Sequence, residues 1–178
     1  ARHESGGIRE NLDQIGSRIT SLDSLKPALA PPSLNGVGDK LHDEALKDAI
    51  ARKDSARRPW LKVRMPQFGF SDDKLNELIG WFVEKDRVDD AFIALHHTEI
   101  QPEPTREALY QAGSRLVTTD GFGCTSCHQV GSMVPPKAPL NAKGPDLSLL
   151  NSRIRKVWFS RWVSNPARMV PRMEMPSV

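Results

Sequence analysis

Aromatic side chains are scarce in this chain, at 6% of its 178 residues, with one tyrosine, and cysteine occurs only twice. Apolar residues reach only 38%, and a small domain this lean often needs a staple such as a metal, a disulfide or a bound cofactor. No run approaches the roughly 18 uninterrupted apolar residues of a membrane span, which excludes a membrane-spanning helix. No Gly-rich phosphate loop, Ser-His-Asp arrangement or metalloprotease motif is present, and the composition excludes collagen and a disordered tail. The opening residues Ala1-Arg2-His3-Glu4-Ser5-Gly6-Gly7 are polar and read as no signal peptide. The expectation is that a leader has been removed or that the chain is a fragment. The length suits one domain or two small ones.

Net charge is +3 with a pI near 9.0, and the charge is unevenly placed. From Asn151 to Met173 there are six basic residues (Arg153, Arg155, Lys156, Arg161, Arg168 and Arg172) and no acidic one. A second basic stretch, Arg52 to Arg64, is relieved only by Asp54. Such segments are either solvated faces or docking surfaces for an acidic partner. No aromatic-interleaved motif accompanies them, so nucleic acid is not expected.

Both cysteines belong to one motif, Cys124-Thr125-Ser126-Cys127-His128. Thiols three residues apart can add to the two vinyl groups of a haem, and the adjacent histidine then lies beneath the iron as proximal ligand. Three other readings compete. A structural zinc site wants four ligands, so two would have to come from far away. A thioredoxin-like pair wants a βαβ context, whereas these flanks read as Gly-rich loop and helix. A disulfide across C-x-x-C would be strained and would leave His128 unexplained.

Thr105 to Leu116 reads as a helix capped by Thr105, with Leu109, Tyr110, Gly113 and Leu116 on one face. Gly113 in mid-helix costs about 1 kcal/mol against Ala, which a close helix contact there would repay. Beyond His128 come a loop rich in Gly, Pro and Lys, then Gly144-Pro145-Asp146-Leu147. A helix with Trp158 and Trp162 at i, i+4 runs to Asn165-Pro166, and Met175-Pro176 follows. C-x-x-C-H, G-P-x-L, a Trp-bearing helix ending in Asn-Pro, and Met-Pro together resemble class I cytochrome c. The match is nearest to the small c-type domains of multidomain bacterial proteins, and it covers Pro104 to Val178. The resemblance implies His128 as proximal ligand, its ring N–H held by the carbonyl of Pro145, and Met175 as the sixth ligand. It also implies an all-α fold around covalent haem c.

A methionine is more often core filler than ligand. Met133 follows His128 closely, in a loop on the wrong side for the distal face. Of Met169, Met173 and Met175, only the last precedes proline, which fixes an extended loop presenting a thioether. A thioether–imidazole pair favours ferrous iron and closes the metal to substrate. His42, His96 and His97 are the rival ligands.

The first half carries a faint copy of the same pattern. Pro31-Pro32-Ser33-Leu34 parallels Gly144 to Leu147, and Arg64-Met65-Pro66 parallels Glu174-Met175-Pro176. Met65 lies 33 residues after Pro32, and Met175 lies 30 after Pro145. Between the first pair, Leu41, Ala45, Leu46, Ala49 and Ile50 keep helical spacing. Ser71 is a plausible N-cap for an amphipathic helix bearing Leu75, Leu78, Ile79, Trp81 and Phe82. This stretch resembles the distal half and C-terminal helix of another cytochrome c module, without an attachment site. His3 stands where a proximal histidine would be, but Arg2 occupies the place of the second cysteine. His3 and Met65 are therefore possible ligands of a degenerate site; an ordinary helical segment is the plainer alternative.

The expected organisation is two tandem partial modules, a degenerate one at 1–86 and a haem-binding one at 104–178. A linker at 87–103 joins them, with a short helix over Val88 to His97. The second module ends before any C-terminal helix, so either the natural chain continues or the Asp72–Lys85 helix completes it by packing Trp81 or Phe82 on Gly113. The resemblance implies an electron carrier, a relay domain of a larger oxidoreductase, periplasmic or otherwise exported, meeting an acidic redox partner through the 151–173 segment. Two alternatives remain: a haem enzyme or gas sensor with a labile distal ligand, and a non-redox interaction module that binds no haem.

Overall fold

The computed structural model describes residues 11, 14–19, 33–53, 65–88, 103–133, 143–169, 175 and 177. Over these residues the protein is all-α, with isolated bridges as its only extended pairing. The chain divides into two compact units, Ala1–Gly36 and Val37–Val178. In the first unit, residues 14–18 are helical and the Ser17 hydroxyl donates to the Gln14 carbonyl at 2.7 Å. The Asn35 N–H donates to Ser33 Oγ at 3.2 Å, and Gly36 follows at φ 76°.

The second unit begins with α1 (Val37–Lys40), α2 (Asp43–Ala51) and α3 (Asp72–Asp86). Helix α3 starts where Ser71 Oγ accepts the Lys74 N–H at 3.4 Å. Asp72 and Asp73 in its first turn and Lys85 in its last complement the helix dipole. Leu75, Ile79 and Phe82, spaced by four and three residues, are its buried stripe. Helix α2 buries Ala45, Leu46 and Ile50 and ends at Arg52, whose φ of 56° turns the chain into the left-handed region. The contact of α1 with α3 requires glycine: a Cβ on Gly38 would lie 2.0 Å from the Phe82 carbonyl oxygen.

After α4 (Arg106–Leu116) and two 3-10 turns (Cys124–Ser126, Leu147–Leu149) come α5 (Leu150–Arg153), α6 (Lys156–Ser164) and α7 (Pro166–Met169). One apolar core joins early and late parts of the chain. Leu41, Leu46, Ile50, Leu75, Ile79 and Phe82 bury against Ile154 and Trp158, each full burial contributing about 1.5–3 kcal/mol. The junction is an antiparallel bridge between Leu41 and Ile154. Around it the His42 N–H donates to the Arg153 carbonyl at 2.8 Å, and the Arg155 N–H to the Lys40 carbonyl at 3.0 Å.

Beside the bridge sits a buried charge cluster. Asp39, 3% exposed, accepts from Arg155 Nη1 at 3.0 Å, from Arg161 Nη2 at 2.5 Å, and from the Val88 N–H at 3.2 Å. This revises the basic docking surface read from residues 151–173. Arg155 is buried and Arg161 is half-buried, both turned inward to one carboxylate, while Lys156 and Arg168 stay exposed.

The packing of α3 on Gly113 is not found. A Cβ at Gly113 would meet nothing within 4 Å, and α4 buries no residue. Phe82 is committed to the core beside Gly38, and Trp81 is 50% exposed. The apolar stripe of α3, Leu75, Ile79 and Phe82, is already buried in the core with Leu41, Leu46, Ile50, Ile154 and Trp158. Most of the Val88 to His97 helix expected from the sequence lies outside the described residues.

Candidate functional site

The C-x-x-C-H segment is held by a succession of turns. Helix α4, capped by Thr105 Oγ1 on the Ala108 N–H at 3.2 Å, ends at Leu116. The Phe122 N–H then returns to the Leu116 carbonyl at 2.7 Å. Gly121 is required in that return, since a Cβ there would lie 2.5 Å from the same carbonyl oxygen. Gly123, at φ 69°, takes the left-handed conformation that side chains disfavour and leads into the Cys124–Ser126 turn. The Cys124 carbonyl accepts from the Cys127 N–H at 3.2 Å and from the His128 N–H at 2.8 Å. The Thr125 N–H ties the turn to the Val117 carbonyl at 2.9 Å. Two thiols and an imidazole thus share one tight turn, with Cys124 half-buried, Cys127 exposed and neither in a disulfide.

A second segment docks on this turn. The Gly144 N–H donates to the Cys127 carbonyl at 2.9 Å, and the Leu147 N–H to the Gln129 carbonyl at 2.8 Å. Between those anchors the Pro145 carbonyl lies 2.8 Å from His128 Nδ1. A carbonyl only accepts, so Nδ1 carries the proton and Nε2 presents its lone pair. Gly144 approaches the ring closely: a Cβ there would sit 2.2 Å from His128 Cε1, so any side chain would displace the imidazole. Asp146 closes the segment by accepting the Ser148 N–H at 2.9 Å. Slight burial pushes its carboxyl pKa up, but hydrogen bonds from Ser148 and the Gly131 N–H outweigh that and hold it below its ordinary value.

Met175 is placed by another element. Its Sδ accepts a hydrogen bond from the Trp162 indole N–H of α6 at 3.2 Å. Trp162 stacks on Trp158, with centroids 5.0 Å apart and planes 15° from parallel. The Lys40 ammonium lies 4.8 Å from the Trp158 centroid and 5.8 Å from that of Trp162.

The rival ligands are placed differently. Met169 packs against the apolar core, Met65 and Met133 are exposed, and His42 is an exposed N-cap. His3, His96, His97 and Met173 lie outside the described residues. Sequence reasoning missed the roles of Gly144, Trp162, Lys40 and Asp39. Gly144 stood within the G-P-x-L motif and Trp162 within the i, i+4 pair, but neither motif names what its side chain or backbone touches. Among the described residues no group of three or more His, Cys, Asp or Glu side chains is arranged to hold a metal ion.

Compared with family models, curated proteins and solved structures, the chain matches none.

Proposed function

We propose that this chain binds one haem covalently through Cys124 and Cys127, with His128 and Met175 as axial ligands, and serves as a one-electron relay. The observation that carries the reading is the hydrogen bond between His128 and the Pro145 carbonyl. It fixes the tautomer in which Nε2 is the metal-binding nitrogen, and such outer bonds orient a ligating imidazole. The donor set fits haem c: two free thiols on one turn beside an imidazole whose other nitrogen is already engaged. Leu109, Tyr110, Leu116, Phe122 and Leu149 are all exposed in the surrounding segments, apolar surface that a macrocycle would bury. Haem, when bound, supplies a reversible one-electron iron couple.

The residues of the chain do the rest. His128 is oriented by Pro145 and wedged by Gly144, so little rearranges between oxidation states. Met175 supplies a second, soft ligand that closes the iron to substrates. Lys156 and Arg168 remain as exposed cations for a weak, salt-sensitive encounter with an acidic redox partner or fused domain. Haem c is attached outside the cytoplasm, so the reading entails a periplasmic or otherwise exported protein.

Mass spectrometry of chain matured by a haem-attachment system tests the proposal. One haem mass per chain is expected, with both thiols unreactive to alkylation. Free thiols in such material would refute it. Carbon monoxide separates carrier from enzyme or gas sensor: the carrier takes up none when reduced at neutral pH.

A further inference from the structure

The first half of the chain has no attachment motif, yet one of its side chains reaches the element that holds Met175. Lys40 ends α1, just before the Leu41–Ile154 bridge, and its ammonium stands over the stacked rings of Trp158 and Trp162. Trp162 in turn directs its N–H at Met175 Sδ. We propose that Lys40 and Trp162 form a positioning device through which the first half sets the electron-donor strength of the Met175 thioether, and with it the reduction potential. The inference rests on Met175 being an axial ligand.

The chemistry follows from the contacts. A thioether sulfur has two lone pairs, so one can face iron while the other accepts the indole N–H. A donor on the second pair withdraws electron density from sulfur and weakens its donation to electron-poor ferric iron. The ferrous state is thereby favoured, through outer-shell hydrogen bonding. A cation over an indole face draws on the ring's π density, which makes the N–H a stronger donor. The Lys40 backbone, from which the side chain reaches the rings, is held at this junction: its carbonyl accepts the Arg155 N–H at 3.0 Å, and Arg155 is anchored in turn on Asp39. The bridge thus fixes a side chain of the first half beside the ligand loop of the second.

The test is a double-mutant cycle on the haem-loaded full chain, reading the reduction potential and the weak near-infrared band of sulfur-ligated ferric haem. Trp162→Phe should keep that band and move the redox equilibrium about fivefold toward ferric, about 40 mV at ~59 mV per decade for one electron. Lys40→Met, which leaves the indole in place and so guards against misfolding of the first variant, should move it about twofold the same way. If Lys40 acts through the indole, adding Lys40→Met to Trp162→Phe changes nothing further; an additive shift would mean a through-space charge effect and would overturn the Lys40 step. An unchanged potential in Trp162→Phe with the band intact overturns the whole device. Met175→Ala separates the underlying reading: if the band survives it, Met175 is not the ligand, and both fall together.

Discussion

Replacing Asp39 with alanine should be among the most damaging single substitutions in the protein. Its carboxylate is 3% exposed and is the shared acceptor of Arg155 Nη1, Arg161 Nη2 and the Val88 N–H. Arg155 is itself 9% exposed, beside the Leu41–Ile154 junction where its backbone N–H donates to the Lys40 carbonyl. Breaking a buried ion pair by removing one partner costs about 3–5 kcal/mol, because the remaining charge stays buried without its counterion. Against a typical total of about 5–15 kcal/mol, that is a large share. At about 2–4 °C per kcal/mol for a chain of this size, the midpoint should fall by roughly 10 °C. Urea titration of Asp39→Ala and Arg155→Met, singly and together, is the assay. The double variant should lose less than the sum of the singles, since the Arg155 charge is no longer left buried without the carboxylate, while Arg161 and the Val88 N–H lose their acceptor in both variants that lack Asp39. A loss under about 1 kcal/mol in Asp39→Ala would refute the claim that this cluster ties the early and late helices together.

Gly144→Ala should keep the fold, whose core is elsewhere, but push the His128 ring off the Pro145 carbonyl; NMR of the ring N–H would lose its hydrogen-bonded signal. Lys156→Glu with Arg168→Glu should slow reduction by an acidic partner severalfold at low salt and little at high salt, as stopped-flow kinetics can read. Arg155→Glu in the same assay should unfold the protein instead, because that guanidinium faces Asp39. Asp146 predicts an acid effect. A carboxyl whose folded pKa is depressed contributes stability that is present above its unfolded value and lost as pH falls through the folded one. Protection of the Ser148 amide, taken relative to its intrinsic exchange rate at each pH, should therefore hold through neutrality and fall only below the ordinary carboxylate range.

What could be read from residue order was the local part. Ser71 and Thr105 are caps whose oxygens bond backbone N–H groups three residues on, so the signal and its structure occupy the same turn. The stripe of Leu75, Ile79 and Phe82 is legible for the same reason. The bond between His128 and Pro145 spans 17 residues and was anticipated only through the resemblance. Contacts across the chain were not legible. Arg155 and Arg161 look like surface cations until Asp39, more than a hundred residues earlier, is placed between them. Gly113 looked like a helix crossing, but the close approach occurs at Gly38, whose small size answers to the backbone of Phe82. A glycine in a helix reveals that something can come near, and only the tertiary fold decides whether it does.

The reduced absorption spectrum of exported, fully matured protein, taken before and after denaturation in alkaline pyridine, bears most directly on the central claim. A haem linked by two thioethers should give a sharp α band that survives acid–acetone extraction and, in pyridine, sits where both vinyl groups are saturated. A colourless protein with two titratable thiols, or one holding zinc at Cys124 and Cys127, would contradict the account.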